Sequence, residues 1–143
     1  MPMFNTALLF DKINVTADKV NSWMRVDLKA HRSLAVNHYC LRYGWNCTFI
    51  GIHFPQNFEL QGSNDDVVWE TIQKHESDSF NNAIACPSPG NFAANQPCAH
   101  WSVPCVGSFR YFRILQLGPH QGGRNVLALS GLELYGDLTE HSS

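Results

Sequence analysis

The sequence predicts an all-β protein, a single-domain antiparallel sandwich. Three observations predict it. Apolar and polar residues alternate at strand period, clusters of Gly, Pro, Asn and Asp separate these runs, and no stretch sustains a helical period for three turns. The 143 residues, 44% hydrophobic and 15% charged, suffice to bury one core and are too apolar for general disorder.

Seven runs carry the strand signal. The first, 23–28 (Trp-Met-Arg-Val-Asp-Leu), alternates as a strand with one buried face should. Next come 34–42, 58–63 and 67–72, the last of them reading Val-Val-Trp-Glu-Thr-Ile. The remaining runs are 100–103, 109–115 and 126–135. In 109–115 the arginines are expected to point away from the aromatic face. Trp23, Trp69 and Trp101 sit inside strand patterns and are expected in the core, where each can bury about 150–250 Å². Asp27 is expected to accept N–H bonds from the turn that follows it. Arg113 and Glu133 are candidates for a cross-strand pair on a solvated face.

The connections differ in length. Those at 29–33, 64–66 and 105–108 are short, whereas 43–56, 75–99 and 117–125 are long and rich in Gly, Pro, Asn and aromatics. If successive strands run up and down, all the long loops, with segment 11–22, leave from one end. That pole is where such a scaffold would place a binding surface.

Composition excludes several classes. Ten Lys/Arg against twelve Asp/Glu give a net charge of −2, without the basic excess a nucleic-acid surface needs. No apolar run is long enough to form a membrane-spanning helix. The five cysteines are odd in number and contain no CxxC pair, and the N-terminus lacks the basic start of a signal peptide. Reduced thiols in an intracellular protein are therefore expected, although sequons at Asn14 and Asn46 would fit a secreted chain. No nucleophile elbow, P-loop or paired helical His/Glu motif is present, so no enzyme and no cofactor are expected. His75, Cys86, Cys98, His100 and Cys105 lack the close spacing of a zinc site, and Asp11, Asp18 and Asn21 are a sparse oxygen set for calcium. No metal is expected.

Five segments resemble, in order, motifs of discoidin or coagulation-factor type C domains. Residues 22–28 resemble the W-x-x-V-D-L strand, 37–42 the Y-x-L-R strand, and 56–69 the segment N-W-x-F-x-G-S-x-D-G-x-x-W. Residues 108–114 resemble W-R-Y-F-R-I, and 129–136 resemble the closing L-S-G-F-E-L-Y-G. The matches span 22–136 of a single domain 1–143, leaving 137–143 as an expected flexible tail. The closing motif and the Y-x-L-R strand are most similar to an intracellular subgroup found beside BTB domains and in HECT-type ubiquitin ligases. The resemblance implies a galactose-binding-like jelly-roll sandwich that recognises glycans, lipid headgroups or proteins through loops at one end. Lys29 and Asp66 stand where the family commonly has glycine, so different turn conformations are expected there. The region before Trp23 is short for an opening strand and first loop.

The candidate contact residues are Trp45, Asn46, Phe49, His53 and Phe54 in the first long loop, with Arg42 before it and His120 and Arg124 in the last. Exposed aromatics carry much of an interface's energy, and Arg, His and Asn supply directional polar contacts. The reading is a protein- or peptide-binding module, as in substrate recruitment for a ubiquitin ligase. A glycan-binding module of the same fold is the alternative; glycosylation at Asn14 or Asn46, or a Cys40–Cys47 disulfide, would favour it. Membrane docking through Trp45, Phe49 and Phe54 is a second alternative, disfavoured by the near-neutral charge.

Overall fold

The computed structural model describes residues 3–42, 55–76, 84–85, 97–119, 125 and 128–141. Among the described residues nine strands form two antiparallel sheets. They are β1 (Met3–Val15), β2 (Trp23–Asp27), β3 (Arg32–Arg42), β4 (Phe58–Ser63), β5 (Glu70–His75), β6 (Ile84–Ala85), β7 (Pro97–Ser102), β8 (Tyr111–Gln116) and β9 (Ala128–Glu140). One sheet has the order β1-β9-β3-β7-β6 and the other β2-β8-β4-β5.

Alternation within strands sorts residues between core and surface. In β8, Phe112, Ile114 and Gln116 point inward while Tyr111, Arg113 and Leu115 face out. They meet Phe58 and Leu60 of β4, and across the sandwich Leu34, Tyr39 and Leu41 of β3 and Leu134 of β9 complete a fully buried centre. Burying each such side chain contributes about 1.5–3 kcal/mol, which makes this contact the main source of stability.

Beside a register shift between Leu9 and Asn14 of β1, bulges in β3 and β5 adjust the phase. In β3, Val36 pairs with Gly136 and His38 with Tyr135, so Asn37 is an extra residue. Its carbonyl instead accepts the N–H of Val103 at 3.0 Å. Val36 and Tyr39, three positions apart, consequently both reach the core, which strict alternation would forbid. Gly136 lies opposite this bulge, where a Cβ would sit 1.9 Å from the Ala35 carbonyl oxygen. In β5, Leu60 pairs with Gln73 and Gln61 with Thr71, leaving Ile72 extra; Ile72 and His75 are both buried.

Several expectations need correction. The run predicted at 67–72 is β5 shifted to Glu70–His75, with Val67 and Val68 in the preceding turn. The N-terminal segment forms a long strand, β1, along β9. Residues 137–140 continue β9 instead of forming a tail, and the His141 N–H donates to the His31 carbonyl at 2.6 Å. Trp23 is 51% exposed, on the outer side of β2. Trp69 is half-buried beneath Arg113, and of the three tryptophans only Trp101 packs against the core. Arg113 and Glu133 lie in different sheets and do not pair.

Lys29 and Asp66 keep the left-handed backbone, at φ 81° and 64°, despite their side chains. Local bonds offset that cost. Asp27 Oδ1 accepts the Lys29 N–H at 2.8 Å, as the sequence led one to expect, and Ser63 Oγ accepts the Asp66 N–H at 2.9 Å. Asp27 also accepts two bonds from Arg110, at 2.8 and 3.0 Å. The Arg110 contact, aided by the Lys29 N–H, lowers the Asp27 pKa to about 2 against the opposing effect of burial.

Two outcomes follow. Gly136→Ala should lower unfolding free energy by about 1–3 kcal/mol in urea melts, because the new methyl meets backbone rather than a yielding side chain. A carboxyl whose folded pKa lies below its unfolded 3.8 stabilises above that pH and loses its contribution as pH falls towards about 2. Acid melts of Arg110→Met should therefore show less stability at neutral pH and a shallower decline between about pH 4 and 2 than the parent.

Candidate functional site

Topology places every long connection at one end. Val15, Trp23, Arg42, Phe58, His75, Pro97, Gln116 and Ala128 are the strand termini there, tied by the pairs Val15–Ala128, Trp23–Leu115, Arg42–Cys98 and Phe58 with both His75 and Gln116. Segments 16–22, 43–57, 76–96 (which includes β6) and 117–127 all leave from these termini. The short turns at 28–31, 64–69 and 103–110 occupy the opposite end. Of the predicted contact residues, Arg42 ends β3 at the loop end, between β7 and β9. Trp45, Asn46, Phe49, His53, Phe54, His120 and Arg124 lie outside the described residues.

The floor of this end is an aromatic cluster. His75 is 4% exposed and stacks on Phe58, with ring centroids 4.3 Å apart and planes 18° apart. Trp101 lies 4.4 Å from the His75 ring and 5.0 Å from that of Tyr39. Tyr39 Oη and His75 Nε2 are hydrogen-bonded, which gives two buried polar groups a partner across the sandwich. Gln116 is 1% exposed, and its side-chain amide has no hydrogen-bond partner among the described residues.

Above this floor is a cleft of about 300 Å³, lined by Asn57, Lys74, His75, Glu76, Leu117 and Gly118. Its walls are knit together locally. The Leu117 N–H donates to the Asn57 carbonyl at 2.7 Å, and the Gln116 N–H to the Ser22 carbonyl at 2.8 Å. Ser22 Oγ donates to the Lys19 carbonyl at 2.7 Å, closing the turn in which Asn21 has φ 62°. Asp18 Oδ1 accepts the Asn125 N–H at 2.9 Å, joining the first and last connections. Exposed Val20, Trp23 and Leu117 give this end an apolar rim, with Val20 at 69%.

The arrangement can hold a ligand between an apolar rim and a few polar groups. Sequence reasoning missed Tyr39, His75 and Gln116, and placed Trp23 inside. The usable signal for His75 was its place beside the longest connection, once β5 is shifted. Among the described residues no three His, Cys, Asp or Glu side chains converge on a metal-sized site. His75 faces inward, while His100 is exposed and Cys105 lies exposed in the 103–110 turn at the opposite end.

No family model matches the chain. Over 126 residues it is 29% identical to the E3 ubiquitin-protein ligase Ufd4 of Drosophila melanogaster, covering 85% of this chain and 4% of that protein. Over 128 residues it is 31% identical to the E3 ubiquitin-protein ligase hecd-1 of Caenorhabditis elegans, covering 87% and 4%. The chain thus spans a small fraction of these relatives. Among solved structures it is similar to the SusE-like protein BT2857, with TM-score 0.63 and 14% identity over 88% of this chain and 52% of that one. It is also similar to CpGH89CBM32-5 from Clostridium perfringens, in complex with GalNAc-β-1,3-galactose. There the TM-score is 0.59 and the identity 12% over 92% and 94%. The fold is that of discoidin-like, galactose-binding-type β-sandwiches.

The burial pattern separates rim from floor. Trp23→Ser should change unfolding free energy by less than about 1 kcal/mol, whereas Phe58→Ala should cost about 3–5 kcal/mol; paired denaturant curves measure both.

Proposed function

We propose that this chain is a non-catalytic recognition module that binds a protein or peptide partner through its loop end. One observation carries the reading: every long connection departs from the same end of the sandwich, the end that holds a cleft with an exposed apolar rim. Arg42, Trp45, Asn46, Phe49, His53, Phe54, His120 and Arg124 are the proposed contact residues. Aromatic anchors would supply buried area and the Arg, His and Asn groups orientation. The likeness to E3 ubiquitin-protein ligases supports a place within a ligase chain, recruiting substrate in an intracellular setting.

A glycan is the second reading, favoured by structural neighbours that include a lectin domain complexed with Lewis B antigen. An apolar sugar face packed on Trp23 of the rim, with polar loop residues on the hydroxyls, is the chemistry it would use.

Replacing Trp45, His53 and Arg124 together by alanine should abolish capture of partners from a displayed peptide library while leaving the melting temperature within about 2 °C. Retained capture would move the site off this end. A glycan array run on the same two proteins discriminates the readings, since a reproducible sugar hit lost in the triple variant supports the lectin.

A further inference from the structure

The outer face of the β2-β8-β4-β5 sheet carries a second feature, independent of the loop end. Arg25 and Arg113 are directly opposed across β2 and β8, a placement in which like charges repel. Aromatic faces hold both. The Arg113 guanidinium lies 4.2 Å from the Trp69 centroid, and that of Arg25 5.3 Å from the Tyr111 centroid. Arg25 is ion-paired with Asp66. Arg113 donates its Nε–H to Gln61 Oε1 at 2.7 Å and has no carboxylate within ion-pair distance among the described residues. The nearby Glu59 is engaged through Oε1 by the Gln61 amide at 3.0 Å and by the Thr71 hydroxyl. Partial burial lowers the Arg113 pKa despite Asp66 and Glu59, the mark of a cation short of compensation.

Beside this pair stand Val67 and Val68, 77% and 66% exposed. The residues flanking them touch the two arginines: Asp66 pairs with Arg25, and Trp69 underlies Arg113. The turn is fixed in advance. Asp65 Oδ1 accepts the N–H groups of Val67 and Val68, each at 2.9 Å, and these bonds lower its pKa. Ser63 Oγ accepts the Asp66 N–H. Apolar side chains on a pre-ordered turn next to an under-compensated cation lose little freedom on binding.

We propose that Arg25, Arg113, Val67 and Val68 form a docking surface for an acidic and apolar protein segment, its carboxylate received by the guanidinium pair and its apolar side chain by the valines. Charge complementarity selects this occupant: a carboxylate accepts the Nη–H donors of Arg113, which has no acid within ion-pair distance among the described residues. The surface lies on the sheet face and the short-turn end, so it can be occupied together with the loop end.

The test is an NMR titration of the ¹⁵N-labelled 143-residue chain with the capped peptide acetyl-Glu-Leu-Glu-Leu-amide, alongside sodium phosphate at matched ionic strength. The expected result is saturable shifts of the Arg25 and Arg113 Nε–Hε signals and the amides of 66–69 with peptide. Affinity should fall about tenfold in Arg113→Gln and in the double variant Val67→Ser, Val68→Ser, both surface changes that leave the fold intact. Phosphate should leave the valine amides unmoved. Absence of saturable shifts, shifts confined to the loop end, equal effects of phosphate and peptide, or unchanged affinity in both variants would each overturn the proposal.

Discussion

The contact between the two inner faces governs the molecule. Leu34, Tyr39, Leu41 and Leu134 meet Phe58, Leu60, Phe112 and Ile114, all essentially inaccessible to water. Each such burial outweighs an exposed ion pair such as Arg32–Glu140, which contributes about 0–1 kcal/mol. The outward residues therefore contribute less to the stability of the sandwich than its inner faces do. The two bulges belong to this same contact. By adding Asn37 and Ile72, they bring Val36 with Tyr39, and Ile72 with His75, to one side of their strands.

That scaffold gives its two ends different characters. At the end from which the long connections leave, Tyr39, Phe58, His75 and Trp101 form a floor where a buried hydrogen bond links the sheets. At the other, short turns are braced by side chains. Asn64 accepts the Arg110 N–H and donates to the Ser108 carbonyl, and Asp27 holds Arg110 and Lys29. Val20, Trp23 and Leu117 are exposed at the first end, and Val67, Val68 and Val106 at the second. Exposed apolar residues thus stand at both ends of the sandwich.

Much of this was legible beforehand. Strand 58–63 falls where alternation put it, β2 and β3 within two residues, and the grouping of long loops follows from counting strand reversals. The tie from Asp27 to the Lys29 N–H was readable because a carboxylate two residues before a turn has an obvious partner. The misreadings share a cause. Val67-Val68-Trp69 has strand-like composition, but Asp65 captures the N–H groups of Val67 and Val68, and Ser63 that of Asp66 before them, which makes it a turn. Trp23 looked like core because size and strand pattern favour burial. It lies on the outer face because inward Met24 and Val26 set the phase of β2.

The chain by itself determined the fold class and the end from which the long connections leave, since these follow from local periodicity and turn chemistry. Tertiary structure alone decided the phase of β3 and β5, the burial of His75 against Phe58, and the meeting of Arg25 with Arg113. A one-residue bulge reverses the faces of everything beyond it. Its position is set by how a strand fits its neighbours, here Gly136 beside Ala35 and Leu60 opposite Gln73, contacts between residues far apart in sequence.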